Sequence, residues 1–268
     1  MKKMLVLLFA VCLLVTLPQV PVQGASLEFT DSVKDQLNLA LENAGNVRKN
    51  AIVRAYDSLA GLHQEHKLWE GKNAELHNAN EARLSAAKKQ IKELDGGKVR
   101  ELEQKVSSVK QKYQPLFDSS SLLNKRVSSA KKLKDKTLYK LLQAQADGLK
   151  TACTIARQEI RMYEAELKSA KEARSRRIAD IRKVLGEVDP WKAKIKTEKS
   201  SISAANKSSS TEWSNFKAAL KKKDSDRIAS ILTRLETLFS QGLKHRKNIN
   251  TYESKITDIL IRAEGKMK

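Results

Sequence analysis

Apolar residues recur along this chain at alternating spacings of three and four, and a period held that long admits helix and little else. Val99, Leu102, Val106, Val109, Tyr113 and Leu116 form one such seam. A longer one runs through Leu149, Cys153, Ala156, Ile160, Tyr163, Leu167, Ala170, Arg174, Arg177 and Ile181. A third begins at Ile228, Ile231, Leu235 and Leu238, passes Gly242 and His245, and continues through Ile249, Tyr252, Ile256, Ile259 and Ala263. A weaker one is visible at Val33, Leu37, Ala40, Ala44, Val47 and Ala51. Such spacing keeps one stripe of each helix turned toward its neighbours. With four prolines in the chain and 5% aromatic residues, little material is left for strands or turns. The expected fold is all-α, an elongated and mainly antiparallel helical bundle built as a coiled-coil-like rod.

Interruptions of the seams place the hairpins. Asp95-Gly96-Gly97 offers glycines that can take the left-handed conformation at a helix end. In Gly186 to Trp191, Asp189 suits an N-cap and Pro190 the first helical position. The polar run Lys221 to Asp226 separates two seams, and Gln114-Pro115 and Ser119 to Ser121 should kink or interrupt a helix. The predicted helices lie near 31 to 94, 98 to 118, 120 to 186, 190 to 220 and 225 to 265. Whether 120 to 186 is one rod or folds back at Gly148 stays open.

Residues 1–24 read as a secretory signal peptide. Lys2 and Lys3 precede an apolar run from Met4 to Leu17, Pro18 and Pro21 end it, and Val22 and Gly24 suit a signal peptidase, with Ala25 a second choice of cleavage site. The run is short for a membrane span, which leaves a retained anchor as the second reading beside cleavage, and no second apolar stretch follows it. The mature chain is thus expected outside the cytoplasm, with no transmembrane segment. Cys12 leaves with the leader, so Cys153 remains alone and no internal disulfide can form.

From residue 25 onward the chain carries 50 basic and 31 acidic residues, a net charge of +19, unevenly spread. Residues 25–97 hold 10 basic and 11 acidic side chains, whereas residues 98–268 hold 40 and 20. A near-neutral helical segment, 25–97, therefore precedes a basic helical bundle, 98–268. That asymmetry points to a polyanionic surface or partner.

Catalytic patterns are missing: there is no nucleophile elbow, no zinc-protease helix motif and no phosphate-cradling glycine loop. Cys153 occupies a seam position, where a small hydrophobe explains it. His63, His66 and Glu70 share a helical face but lack a converging fourth group, and a solvated polar face accounts for them. His77 lies too far along the helix to join them, and His245 in its seam needs only a neighbouring carboxylate. The chain is read as a non-enzyme without cofactor or metal.

Binding is what the composition favours. A basic, extracytoplasmic helical protein meets anionic wall polymers, lipid surfaces and stray nucleic acid, and salt weakens its hold on all three. Specific nucleic-acid recognition needs a reading motif, and none stands out. A lipid surface needs a free bulky apolar face, and the seams look consumed by the bundle. An anionic cell-wall polymer or glycan remains, with Trp69, Trp191 and Trp213 as rings on which sugars could stack, or else as core and hairpin packing.

Residues 215–239, NFKAALKKKDSDRIASILTRLETLF, show a helix ending in basic residues, a Lys-Asp turn and an amphipathic helix. With the leader and the Lys-rich helical body, this resembles the helical N-terminal region of Gram-positive surface-layer proteins. The resemblance implies a Gram-positive bacterium, an extracellular, wall-associated location and binding of secondary cell-wall polymer, and it transfers no individual binding residue. The alternative is a structural spacer or coiled-coil interaction protein of the envelope, paired with a helical partner or a second copy.

The densest basic stretch, SAKEARSRRIADIRKVLG at 169–186, sharpens the search for a site. Turning 100° per residue, Arg174 and Arg177 fall within about 40° of the buried Ile181 direction. Arg176 and Lys183 point to the opposite side, with Lys171 and Arg182 on one flank. Glu172 and Asp180 lie four residues either side of Arg176 and could support a solvated face. The inner pair either snorkels or meets carboxylates of a neighbouring helix, or else forms a basic notch for a phosphate or carboxylate. Candidate ligand-binding residues are Arg174, Arg177, Arg176, Arg182, Lys183, Trp191 and Trp213.

Overall fold

The computed structural model describes residues 27–268, so the leader and Cys12 lie outside the described residues. Six helices follow one another: α1 (Asp31–Ala40), α2 (Asn46–Glu93), α3 (Gly96–Lys132), α4 (Lys136–Gly186), α5 (Val188–Lys221) and α6 (Ser225–Gly265). No strand occurs among the described residues. The protein is an all-α helical bundle, and its three longer seams supply buried faces, while the weaker one fails past Ala44, where Val47 is 85% exposed. Val99, Val106 and Val109 of the first seam, Cys153, Ala156 and Ile181 of the second, and Ile228, Ile231, Leu235, Ile249, Ile256 and Ile259 of the third are all buried.

Several predicted boundaries move. The expected 31–94 helix is broken over residues 41–45, between the end of α1 and the start of α2. Pro115 and Ser119 to Ser121 do not interrupt α3, which runs on to Lys132. Gly148 lies within α4, and the fold-back occurs instead at Leu133-Lys134-Asp135. That turn contains neither glycine nor proline. Lys134 takes the left-handed conformation (φ 58°), and the Asp135 carboxylate accepts the Leu138 N–H at 3.0 Å as an N-cap. The Lys222-Lys223-Asp224 turn uses the same device, with Lys223 at φ 52° and Asp224 capping Arg227 N at 3.0 Å. At the α2–α3 corner it is Asp95 (φ 51°), not either glycine, that turns left-handed.

Helix directions follow from the partners. Along α3 and α4, Lys110 pairs with Glu164 and Glu103 with Lys171, so residue numbers rise on one helix as they fall on the other. The α3–α4 hairpin is therefore antiparallel. Likewise α5 and α6 pair through Arg234 with Glu212 and His245 with Glu198. By contrast α2 and α6 run parallel, since His77 meets Glu253 and Asn80 meets Thr257.

Two compact units divide the chain, one formed by residues up to Leu68 with Glu198–Arg246, the other by Trp69–Thr197 with Lys247–Lys268. Helices α2, α5 and α6 supply residues to both. The first has a broad core of Leu37, Leu41, Leu59, Phe216, Ile231 and Leu235. Small residues dominate where α3 meets α4 in the second, with Val106, Val109, Ala130, Ala146, Cys153 and Ala156 buried. A seam of valine, alanine and cysteine lets two helices approach closely but removes less apolar area from water than leucines would.

Candidate functional site

The second unit contains a cleft of about 620 Å³ whose walls come from the end of α2, the start of α3 and the C-terminal third of α4. Lys92, Arg100, Lys171, Arg174 and Arg182 line it, against only two carboxylates, Glu93 and Glu103. Glu103 is engaged by Lys171 at 2.6 Å. Arg100 and Arg182 have no ion pair among the described residues. Gly96 explains how the arginines converge. A Cβ added to it would lie 3.7 Å from Arg100 Nη1 and 4.0 Å from Arg174 Nη2, so two guanidinium groups approach one buried backbone position that carries no side chain. Gly96 is also the first residue of α3, whose opening N–H groups lack partners inside the helix and whose dipole is positive at that end. Like charges held this close, with little carboxylate among them, attract an anion.

The two seam arginines serve the fold first. Arg174 donates from Nε to the Leu94 carbonyl (2.7 Å) and from Nη2 to the Lys92 carbonyl (2.9 Å), which satisfies the otherwise orphaned end of α2. Arg177 donates from Nε to the Lys266 carbonyl (3.1 Å) and from Nη1 to the Asp95 carboxylate at 3.3 and 3.4 Å. A carboxylate partner was expected for this pair. The backbone carbonyls were not, because helix ends from elsewhere in the chain become neighbours only on folding.

The other candidates separate. Lys171 and Arg182, placed on one flank by the helical geometry, both line the cleft. Arg176 and Lys183 are exposed and do not line it, and neither Glu172 nor Asp180 lies within ion-pair distance of Arg176. As a sugar platform Trp213 must be withdrawn: it is 5% exposed, its ring stacked on Phe216 at 5.0 Å and tilted against Phe29 at 4.9 Å. Trp191 packs against Tyr252 at 5.5 Å with Lys194 Nζ 4.2 Å from its centre, and it takes no part in the cleft. Hairpin packing therefore explains it. Lys92 and Arg100 went unnoticed in the sequence. Both belong to ordinary lysine- and arginine-bearing faces, and only the tertiary contact of three helices brings them to Arg174.

The histidines also resolve. His66 is buried, donates its Nε2–H to the Phe239 carbonyl at 2.6 Å and stacks on the Phe239 ring. His63 lies against Phe29 and Phe239. The solvated face expected of them is in fact an aromatic edge of the first unit's core. Burial lowers the pKa of both, helped for His63 by Lys67 and Arg246. His245 does meet a carboxylate, Glu198. No cluster among the described residues has three or more groups able to hold a metal.

A buried polar network was missed altogether. Glu253, 1% exposed, accepts from His77 Nδ1 at 2.8 Å and from Asn80 Nδ2 at 2.8 Å, while the Thr257 hydroxyl donates to Asn80 Oδ1 at 2.8 Å. Every charged oxygen is thus answered, as a buried carboxylate requires. The only signal in the sequence was a glutamate beside a seam tyrosine.

No protein-family model matches the chain, and neither a curated protein nor a solved structure matches it at significance. Among the described residues no helix is long and apolar enough to cross a membrane.

Proposed function

We propose that the protein is secreted and associates with the cell envelope by holding an anionic polymer, such as a phosphate- or carboxylate-bearing wall glycan, in the basic cleft beside Gly96. One observation carries this reading: five cationic side chains on three helices line a cleft of about 620 Å³, and among the described residues only Lys171 of the five has an ion pair. Guanidinium groups suit repeated phosphates or carboxylates, since each can donate in parallel to two oxygens. The leader sequence and the resemblance of residues 215–239 to surface-layer wall-binding regions favour wall polymer over other polyanions. A spacer or coiled-coil role has its own support in Ile155 and Met162, seven residues apart on α4 and 59% and 49% exposed, which leave an apolar stripe for a partner helix.

The test is retention on purified walls, intact or stripped of anionic polymer, across a salt titration. Intact walls should hold the protein, with affinity falling linearly in log salt, and stripped walls should release it. Combined Arg100→Glu and Arg182→Glu substitutions should weaken retention at least about tenfold, because charge-assisted contacts are lost and replaced by repulsion. Equal retention on stripped walls refutes polymer binding.

A further inference from the structure

The tip of the α3–α4 hairpin breaks the rule that the seams obey. From Ser121 to Gln145 only Ala130 is buried. Leu122, Leu133, Leu138 and Leu141 are 53%, 75%, 40% and 59% exposed. Within the same span, Leu122 to Leu141, stand seven basic residues, Lys125, Arg126, Lys131, Lys132, Lys134, Lys136 and Lys140, and one acidic residue, Asp135. The Asp135 carboxylate is occupied in capping α4. None of the seven has an ion pair among the described residues. The Lys222-Lys223-Asp224 turn has the same construction, yet the leucine and isoleucine beside it, Leu220 and Ile228, are 4% and 0% exposed. Turn chemistry alone therefore does not leave apolar side chains in water. At the α3–α4 tip they are both exposed and ringed with positive charge.

Each simpler partner satisfies half of this surface. A wall polymer or nucleic acid answers the lysines and leaves the leucines wet, and the single ring at the tip, Tyr139, offers no row of stacking platforms. A second copy would bring seven like charges against seven. An anionic bilayer answers both, because its phosphates meet the cations while the acyl boundary takes the apolar side chains. The dimensions fit. Leu133 sits in the turn, and at ~1.5 Å per residue Leu138 and Leu141 lie within about 10 Å of it along α4, the depth at which interfacial side chains meet acyl chains. Lysine stems are long enough to keep their ammonium groups among the phosphates while their methylenes follow the leucines inward.

We propose that the tip of the α3–α4 hairpin, Leu122 to Leu141, docks on an anionic lipid surface, inserting Leu133, Leu138 and Leu141 while the surrounding lysines and Arg126 engage the headgroup phosphates. This site is separate from the Gly96 cleft and stands whether or not the cleft holds a polymer. The sequence expectation that every apolar face is used up inside the bundle fails here, because Ala130 alone is buried between Ser121 and Gln145 and Leu122, Leu133, Leu138 and Leu141 are left exposed.

Cosedimentation of the full chain with vesicles of phosphatidylcholine, with and without phosphatidylglycerol, tests it. Binding should require phosphatidylglycerol and weaken with salt. Serine at 133, 138 and 141 together (Leu133→Ser, Leu138→Ser, Leu141→Ser) should reduce partitioning by at least about a thousandfold, the loss expected from withdrawing three leucines from an apolar phase. Lys131→Glu, Lys132→Glu and Lys134→Glu combined should abolish the preference for anionic lipid, and Arg100→Glu with Arg182→Glu should leave vesicle binding intact. The substituted leucines and lysines are all exposed and Tyr139 is half-buried, so unchanged helical circular dichroism is expected and serves as the control. Insertion is read directly from Tyr139→Trp, whose fluorescence should be quenched by lipids brominated on the acyl chain. Undiminished binding by the serine variant, equal binding to neutral vesicles, absence of quenching, or a wild-type dimer that the serine variant dissolves would each overturn the proposal.

Discussion

Arg174 and Arg177 were visible in the sequence as charges standing where the seam calls for leucine or alanine, and that anomaly led correctly to a structural feature. Its nature needed the fold: Arg174 closes the end of α2, and Arg177 ties α4 to Asp95 and to the Lys266 carbonyl. The same limit hid Glu253. A glutamate beside a tyrosine on a basic helix looks like surface until His77 and Asn80 are brought to it from a helix more than 170 residues earlier. Removing it takes the acceptor from the half-buried His77 Nδ1 and one of two acceptors from the buried Asn80 Nδ2, which keeps the Glu253 carbonyl at 2.9 Å. Glu253→Ala should lower stability by about 2–4 kcal/mol, and Glu253→Gln, which keeps the shape and one acceptor, by less. Urea denaturation of the variants measures both, and a loss under about half a kilocalorie for the alanine form would show that the network contributes little.

At the scale of the element, the seams announced α3, α4 and α6 and the buried side of each, because a 3.5-residue period can only be satisfied by helix against helix, whereas α5 and most of α2 carried no such seam. The ends were less legible. Two of the three left-handed turn residues are lysines, a type with no particular preference for that conformation, and the fold supplies the reason they adopt it through the aspartate cap that follows. Gly148 misled in the opposite direction. It lies in the middle of α4 with ordinary helical backbone, and a methyl group added there would meet nothing within 4 Å. Its flexibility is therefore a cost without a use. Gly148→Ala should stabilise the protein by about 0.5–1 kcal/mol and raise its melting temperature by a few degrees. A fall in melting temperature would mean that the position serves a motion the static fold does not need.

For the whole molecule, the charge has a different home once the chain is divided by packing. From residue 27 onward, the unit containing Trp69–Thr197 and Lys247–Lys268 carries 35 basic and 20 acidic residues, the other 15 and 11. Both the cleft and the hairpin tip belong to the more basic unit. The other holds the two histidines whose pKa values are lowered by burial, His63 beside Lys67 and Arg246, and His66 beside Arg246 and Glu65 with its bond to the Phe239 carbonyl opposing the shift in part. Because the folded form takes up these protons only at lower pH than the unfolded chain, their neutral state contributes fully above about pH 6.5 and stability is lost as pH falls toward the folded values. Denaturation midpoints should therefore drop between about pH 8 and pH 5, with a flatter profile for His66→Leu. A midpoint that rises on acidification would contradict the burial of these rings. The sequence alone determined that the chain is helical, which residues face inward, and that its later two thirds are cationic, since period and composition are properties of the chain itself. Only the tertiary structure decided where helices stop, which arginines are consumed as caps and which line a cleft, and that the α3–α4 tip keeps its leucines in water. Each of those depends on what lies across from a residue, and neighbours across a bundle are set by packing rather than by order along the chain.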